Sequence, residues 1–178
     1  MNKMQKRTWL GGVLGTLFLA STASAAPVVL DFEGLQDQEQ ILDFYNGGTG
    51  SAGSSSGMDY DIVFGSGALA LIDSDAGGTG NFANEPSADT IAFWLSGGGL
   101  VMNVLNGFDT GFSFFYTSST AGSVTVYDGA NATGNILGTL NLSANYTANN
   151  CTGDPTGTFC NWDAIGVAFA GTAFSVSF

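Results

Sequence analysis

After Arg7 the chain has no lysine or arginine, and it has no histidine anywhere. Its three basic residues, Lys3, Lys6 and Arg7, crowd the N-terminus, while all 15 carboxylates lie beyond them. Each absence excludes a chemistry. Without His or Lys, a serine or cysteine nucleophile has none of its usual bases. Without cations nothing cradles phosphate, and an excess of carboxylates repels polyanions, which sets nucleic acid aside as a partner. Proline is limited to Pro27, Pro86 and Pro155, so turns fall to glycine, serine and asparagine. Beyond the N-terminal segment no apolar run reaches the roughly 20 residues of a membrane-spanning helix.

The N-terminus accounts for the segregated charge. Lys3, Lys6 and Arg7 form a positive n-region, Trp9 to Ala20 an apolar h-region, and Ala23-Ser24-Ala25 a small-residue peptidase site. A signal peptide over residues 1–25 follows, and cleavage after Ala25 leaves Ala26 ahead of Pro27. Residues 26–178 then make one domain with a core of its own. Glycine, at 27 residues, is well above an average share, and long helix-forming side chains are few.

Short apolar runs alternate with Gly/Ser/Asn punctuation along this domain. Strands are expected over 28–32, 60–64, 68–72, 91–95, 100–105, 112–116, 123–127, 136–142, 165–169 and 174–178. Gly65-Ser66-Gly67 and Ser96-Gly97-Gly98-Gly99 read as hairpin turns between the strands that flank them. One short helix is expected over Asp37–Phe44, and 46–57 as a Gly/Ser surface loop. About ten short strands of this spacing predict an all-β fold, an antiparallel β-sandwich of jelly-roll type. A small outer-membrane barrel is the rival, since the chain ends in alternating Phe-Ser-Val-Ser-Phe. Its strands would run about nine to eleven residues, longer than most of these.

Asp31-Phe32-Glu33-Gly34, Leu42-Asp43-Phe44-Tyr45-Asn46-Gly47-Gly48, the run from Ala70 to Pro86 and Gly107-Phe108-Asp109-Thr110-Gly111-Phe112 together resemble bacterial PEP-CTERM exported proteins. The resemblance implies a secreted or cell-envelope protein of an exopolysaccharide-producing Gram-negative bacterium, and extracellular polysaccharide or envelope matrix is the partner expected in that setting. Such proteins continue into a further strand, a Pro-Glu-Pro motif, an apolar helix and basic residues. This sequence stops at Phe178, which reads either as a truncated chain or as one released unanchored.

Cys151 and Cys160 bracket a short Gly-Asp-Pro turn. In an oxidising compartment they read as one disulfide; a two-thiolate metal site would lack further Cys or His ligands. The carboxylates carry the positive signal. Asp73-Ser74-Asp75-Ala76-Gly77, with Asn81, Asn84 and Glu85 following, offers the flexible oxygen set that calcium takes, while the plainer reading is a polar loop whose acids bond its own turns. Calcium is thus the one cofactor considered, in a structural role. Glu33 is a second candidate ligand, paired with Asp154 or Asp163, and Asp59-Tyr60-Asp61 a weaker one.

Two carboxylates also suffice for glycoside hydrolysis, but the only glutamates, Glu33, Glu39 and Glu85, are far apart in sequence. Aromatic rings offer a sugar-stacking platform instead. Trp162, beside the Cys160 loop, is the ring expected to be exposed, with Tyr127, Tyr116 and Trp94 as further candidates and the core as the competing destination. The functional expectation is a non-enzymatic protein associating with exopolysaccharide. A carboxylate-based glycan hydrolase and a purely structural surface protein are the alternatives.

Overall fold

The computed structural model describes residues 27–95, 99–147 and 158–178. The expected signal peptide, Cys151, Asp154 and most of the 96–99 turn lie outside them. Among the described residues the fold is all-β: nine strands and no helix. In chain order they are β1 (Ile62–Phe64), β2 (Leu69–Ile72), β3 (Thr90–Phe93), β4 (Val101–Phe108), β5 (Gly111–Tyr116), β6 (Gly122–Tyr127), β7 (Ile136–Leu142), β8 (Asp163–Ala168) and β9 (Ala173–Ser177). The strands run three to eight residues, and every pairing between them is antiparallel. No helix of the described residues is long and apolar enough to cross a membrane.

The main sheet has the order β1-β4-β9-β6-β7, and two further ladders join β2 to β3 and β5 to β8. Registers align Phe64, Met102, Val176, Val126 and Gly138 in one row across all five strands of the main sheet. Directly opposed residues share a face, so the row draws one side of the sheet into the core. Val126 and Val176 are fully buried there, each stabilising the fold by about 1.5–3 kcal/mol.

The β5–β8 pair packs against this face. Phe112 and Phe114 meet the Phe178 ring edge-on at centroid distances of 6.1 and 5.3 Å. At the far end of the row, a Cβ added to Gly138 would stand 2.9 Å from Val167 Cγ2. The missing side chain there is what lets β8 approach β7. Ala70 of β2 and Ala68 just before it are buried in the same core. At Gly107 the β4–β9 register shifts, and its φ of 74° is a conformation that L side chains rarely adopt.

Several expectations are corrected. Neither glycine turn makes its expected hairpin: β1 pairs with β4 and β2 with β3, so Gly65-Ser66-Gly67 and the turn at 96–99 join strands that do not pair with each other. Residues 28–32 are not a strand, and Phe32 sits at φ 63°. Asp37–Phe44 is not a helix. Gln38 and Leu42 take left-handed angles, and the backbone of 38–41 bonds to β2 instead: Gln38 N–H donates to Ala70 O at 2.8 Å and Ile41 N–H to Ala68 O at 3.1 Å.

Candidate functional site

With no cation after Arg7, the acids of the folded domain have no side-chain ion pair to join. They are held by amide and hydroxyl donors. Glu39, only 3 % exposed, accepts from the N–H of Gln36 and of Ala52, both at 2.8 Å, and of Ser54 at 3.2 Å. Burial pushes its carboxyl up, but these amides and the Ser54 hydroxyl together outweigh burial and hold it below the ordinary value. Asp37 is treated the same way: against burial, the Ile72 amide at 3.0 Å and the Thr79 hydroxyl at 2.7 Å bring it below the ordinary value. Glu33 reaches across to β3, taking Asp89 N–H at 2.9 Å and Thr90 N–H at 2.8 Å on one oxygen and Thr90 Oγ1–H at 3.0 Å on the other.

One open cleft of about 240 Å³ lies beside these contacts, lined by Val29, Asp31, Glu33, Phe44, Tyr45, Ser56, Met58 and Tyr60. Its frame is a short turn-back in which Tyr60 N–H donates to Tyr45 O at 2.8 Å and Gly47 N–H to Met58 O at 3.1 Å. Phe44 forms a buried floor. The Tyr60 ring, half-buried, lies over Tyr45 at 6.3 Å with the planes only 27° apart. The Tyr45 hydroxyl accepts Phe32 N–H at 2.6 Å and faces Asp31 Oδ1 at 3.5 Å. Burial first, and then the Asp31 charge, push its phenol up beyond the ordinary tyrosine range, so it stays protonated. Val29 and Met58 are exposed apolar flanks at 75 % and 48 %. The cleft therefore presents one supported aromatic face, one solvent-facing carboxylate and an apolar rim, with no positive charge.

Comparison with protein-family models, with curated proteins and with solved structures finds no match.

Of the residues singled out from sequence, Asp73 is buried and Asp75 exposed. The structure brings them near Glu85 and adds Asp89. Burial pushes the Glu85 carboxyl up, and the charges of Asp73, Asp75 and Asp89 push it further. Among the described residues no three acids approach closely enough to hold a metal ion. Glu33 contacts β3 and lines the cleft, as above. Asn81 serves through its backbone, its carbonyl accepting Thr158 N–H at 2.6 Å and Phe159 N–H at 3.1 Å.

This ties the acidic loop to the Cys160 segment, and Trp162 reinforces the tie. Its indole N–H donates to Ala83 O at 3.0 Å, and its half-buried ring meets Phe82 edge-on at 6.2 Å. Tyr127 is half-buried on β6 opposite Ser175, far in the sheet order from β1 and its cleft. Cys160 is buried; its expected partner Cys151 lies outside the described residues. Asp163 accepts from the side-chain amides of Asn145 at 3.0 Å and Asn161 at 3.4 Å, and its other expected partner, Glu33, is already engaged on β3.

Sequence reasoning passed over Asp31, Ser56, Met58 and Tyr60. One signal was available: alternation in Asp59-Tyr60-Asp61 turns Tyr60 away from the two acids. Nothing local says that Asp31 and Tyr45 would come up beside it.

Proposed function

We propose that this chain is a secreted envelope or matrix protein, as its resemblance to PEP-CTERM exported proteins implies, that it associates non-enzymatically with extracellular polysaccharide, and that the Asp31–Tyr60 cleft is where it does so. The observation that carries this is the half-exposed Tyr60 ring, backed by Tyr45 and flanked by the Asp31 carboxylate. A sugar lays its C–H face on such a ring and donates hydroxyls to a carboxylate. The volume is below the ~300–1,000 Å³ of pockets that engulf small molecules, which suits an open grip on one unit of a chain. With carboxylates at the rim and no cation, the cleft favours neutral glycans and repels uronate-rich ones.

Calcium enters as a structural ion at the Asp73–Glu85 loop, its shell completed by carbonyl and amide oxygens because no three described acids gather there, and it would relieve the repulsion on Glu85. The Cys151–Cys160 disulfide enters as a pin for the loop beside Trp162. A glycan hydrolase is the second reading, favoured by one fact: Asp31 and Glu33 line the same cleft. Against it, both Glu33 oxygens are already taken by donors from β3.

Affinity electrophoresis against neutral and uronate polysaccharides tests the proposal. Retardation by a neutral glycan should weaken about tenfold in Tyr60→Ala, the ~1.4 kcal/mol expected of an anchoring ring, and persist in Tyr60→Trp. Equal retardation of parent and Tyr60→Ala contradicts it. Release of reducing ends by the parent, lost in Glu33→Gln, would replace it with the hydrolase.

A further inference from the structure

Sheet edges invite pairing, and natural folds blunt them with charge, proline, brevity or a covering segment. Most edges here are blunted. β1 is three residues long, Asp59 and Asp61 precede it, and its Phe64 N–H is already donated to Leu42 O at 2.9 Å. β2 is flanked by residues 38–41, and β3 begins at the amides held by Glu33. β7 is different. It ends the five-stranded sheet, runs seven residues as Ile-Leu-Gly-Thr-Leu-Asn-Leu without an acid or a proline, and among the described residues bonds only to β6.

Charge separates this edge from the rest of the chain. From Thr110 to Gly153 the sequence holds one acid, Asp128, and its two oxygens accept the backbone and side-chain N–H of Asn135 at 2.6 and 2.8 Å. Two copies of so acidic a chain repel each other over most of their surface, and the β6–β7 corner, whose own residues carry only Asp128, is where they meet with least opposition. The strand also matches itself. Leu140 and Leu142 pack into the core but stay partly exposed because the sheet stops there, while Thr139 and Asn141 point to the exposed face.

We propose that β7 pairs antiparallel with β7 of a second copy about a two-fold axis at Leu140, making one ten-stranded sheet from two five-stranded ones. In that register Leu140 meets its counterpart, Gly138 meets Leu142, and Thr139 meets Asn141, each pair on one face. The new strand covers the half-buried leucines and uses outer backbone groups that no described residue engages.

Sedimentation of the purified protein tests this. The parent sediments as a dimer, and added salt favours the dimer by screening the net repulsion. Thr139→Lys/Asn141→Lys sets like charges opposite each other twice, and gives a monomer with an unchanged circular dichroism spectrum and a melting temperature that, unlike the parent's, does not rise with protein concentration. Thr139→Lys/Asn141→Glu sets opposite charges there, and the dimer returns. A monomeric parent overturns the proposal. So does a dimer that survives Thr139→Lys/Asn141→Lys, which would place the contact elsewhere, or a charge-swapped variant that stays monomeric, which would exclude this register.

Discussion

Glu39→Gln is the sharpest perturbation of how this chain handles its carboxylates. Glu39 is buried and meets three backbone N–H groups, Gln36 on one oxygen and Ala52 and Ser54 on the other. The amide keeps one carbonyl. Turned toward Ala52 and Ser54, it presents its NH₂ to the N–H of Gln36, leaving that part-buried donor unmet at about 1–2 kcal/mol. The two remaining bonds lose their charge assistance, a further ~1 kcal/mol together. A total of about 2–3 kcal/mol lowers the melting temperature by roughly 4–12 °C for a domain of this size. The pH dependence has a definite sign. The folded carboxyl titrates below its ordinary value of 4.5, so its contribution is present above that value and lost as pH falls through the folded one. The gap between parent and variant should therefore be widest at pH 7 and narrower at pH 3, below the ordinary value. Asp37, also lowered, titrates in both proteins and drops out of the difference. Melting curves by circular dichroism at the two pH values decide. A gap equally large at pH 3, or no gap at pH 7, would refute the reasoning.

Glu85→Gln removes a carboxyl that burial and three acidic neighbours hold up; it should raise stability at pH 7 by a few tenths of a kcal/mol, and reduce any thermal shift from millimolar calcium, both read in a melting scan. Gly107→Ala forces a side chain onto φ 74° and 2.5 Å from Thr172 Cγ2, so a loss of about 1–3 kcal/mol is expected in urea titrations. Ser175→Val should cost about 1–3 kcal/mol as well. Its fully buried hydroxyl donates to Gly129 O at 2.5 Å and accepts Ala132 N–H at 3.0 Å, pinning the β6–β7 connection, and faster amide exchange over 129–134 would report the release.

How much of this was legible depends on range. Most strands were, because an apolar run with period-two alternation needs only its own residues: β7 has the bounds read from sequence, and β5 and β6 differ by one residue, while the run 28–32 formed no strand. Pairing was not. Gly65-Ser66-Gly67 has hairpin composition, yet Phe64 is aligned by Met102 and Val176 across the sheet, contacts that no turn signal encodes. The Asp37–Phe44 helix failed because Ile41 and Tyr45 face one core at helical spacing by coincidence, while Glu39 is drawn to the amides of Ala52 and Ser54. The acidic loop was legible as a cluster, but the role of each acid was not, since its donors come from distant backbone. The cleft was invisible for the same reason: Asp31, Tyr45, Ser56 and Tyr60 meet only after the chain has folded back on itself.

The central claim is that polysaccharide is gripped at Tyr60. Hydrogen–deuterium exchange of the protein with and without a retarding neutral glycan tests it most directly. Protection confined to residues 29–33 and 56–60 is the predicted result. Protection centred instead on Trp162 or β7, or none at saturating glycan, would contradict it.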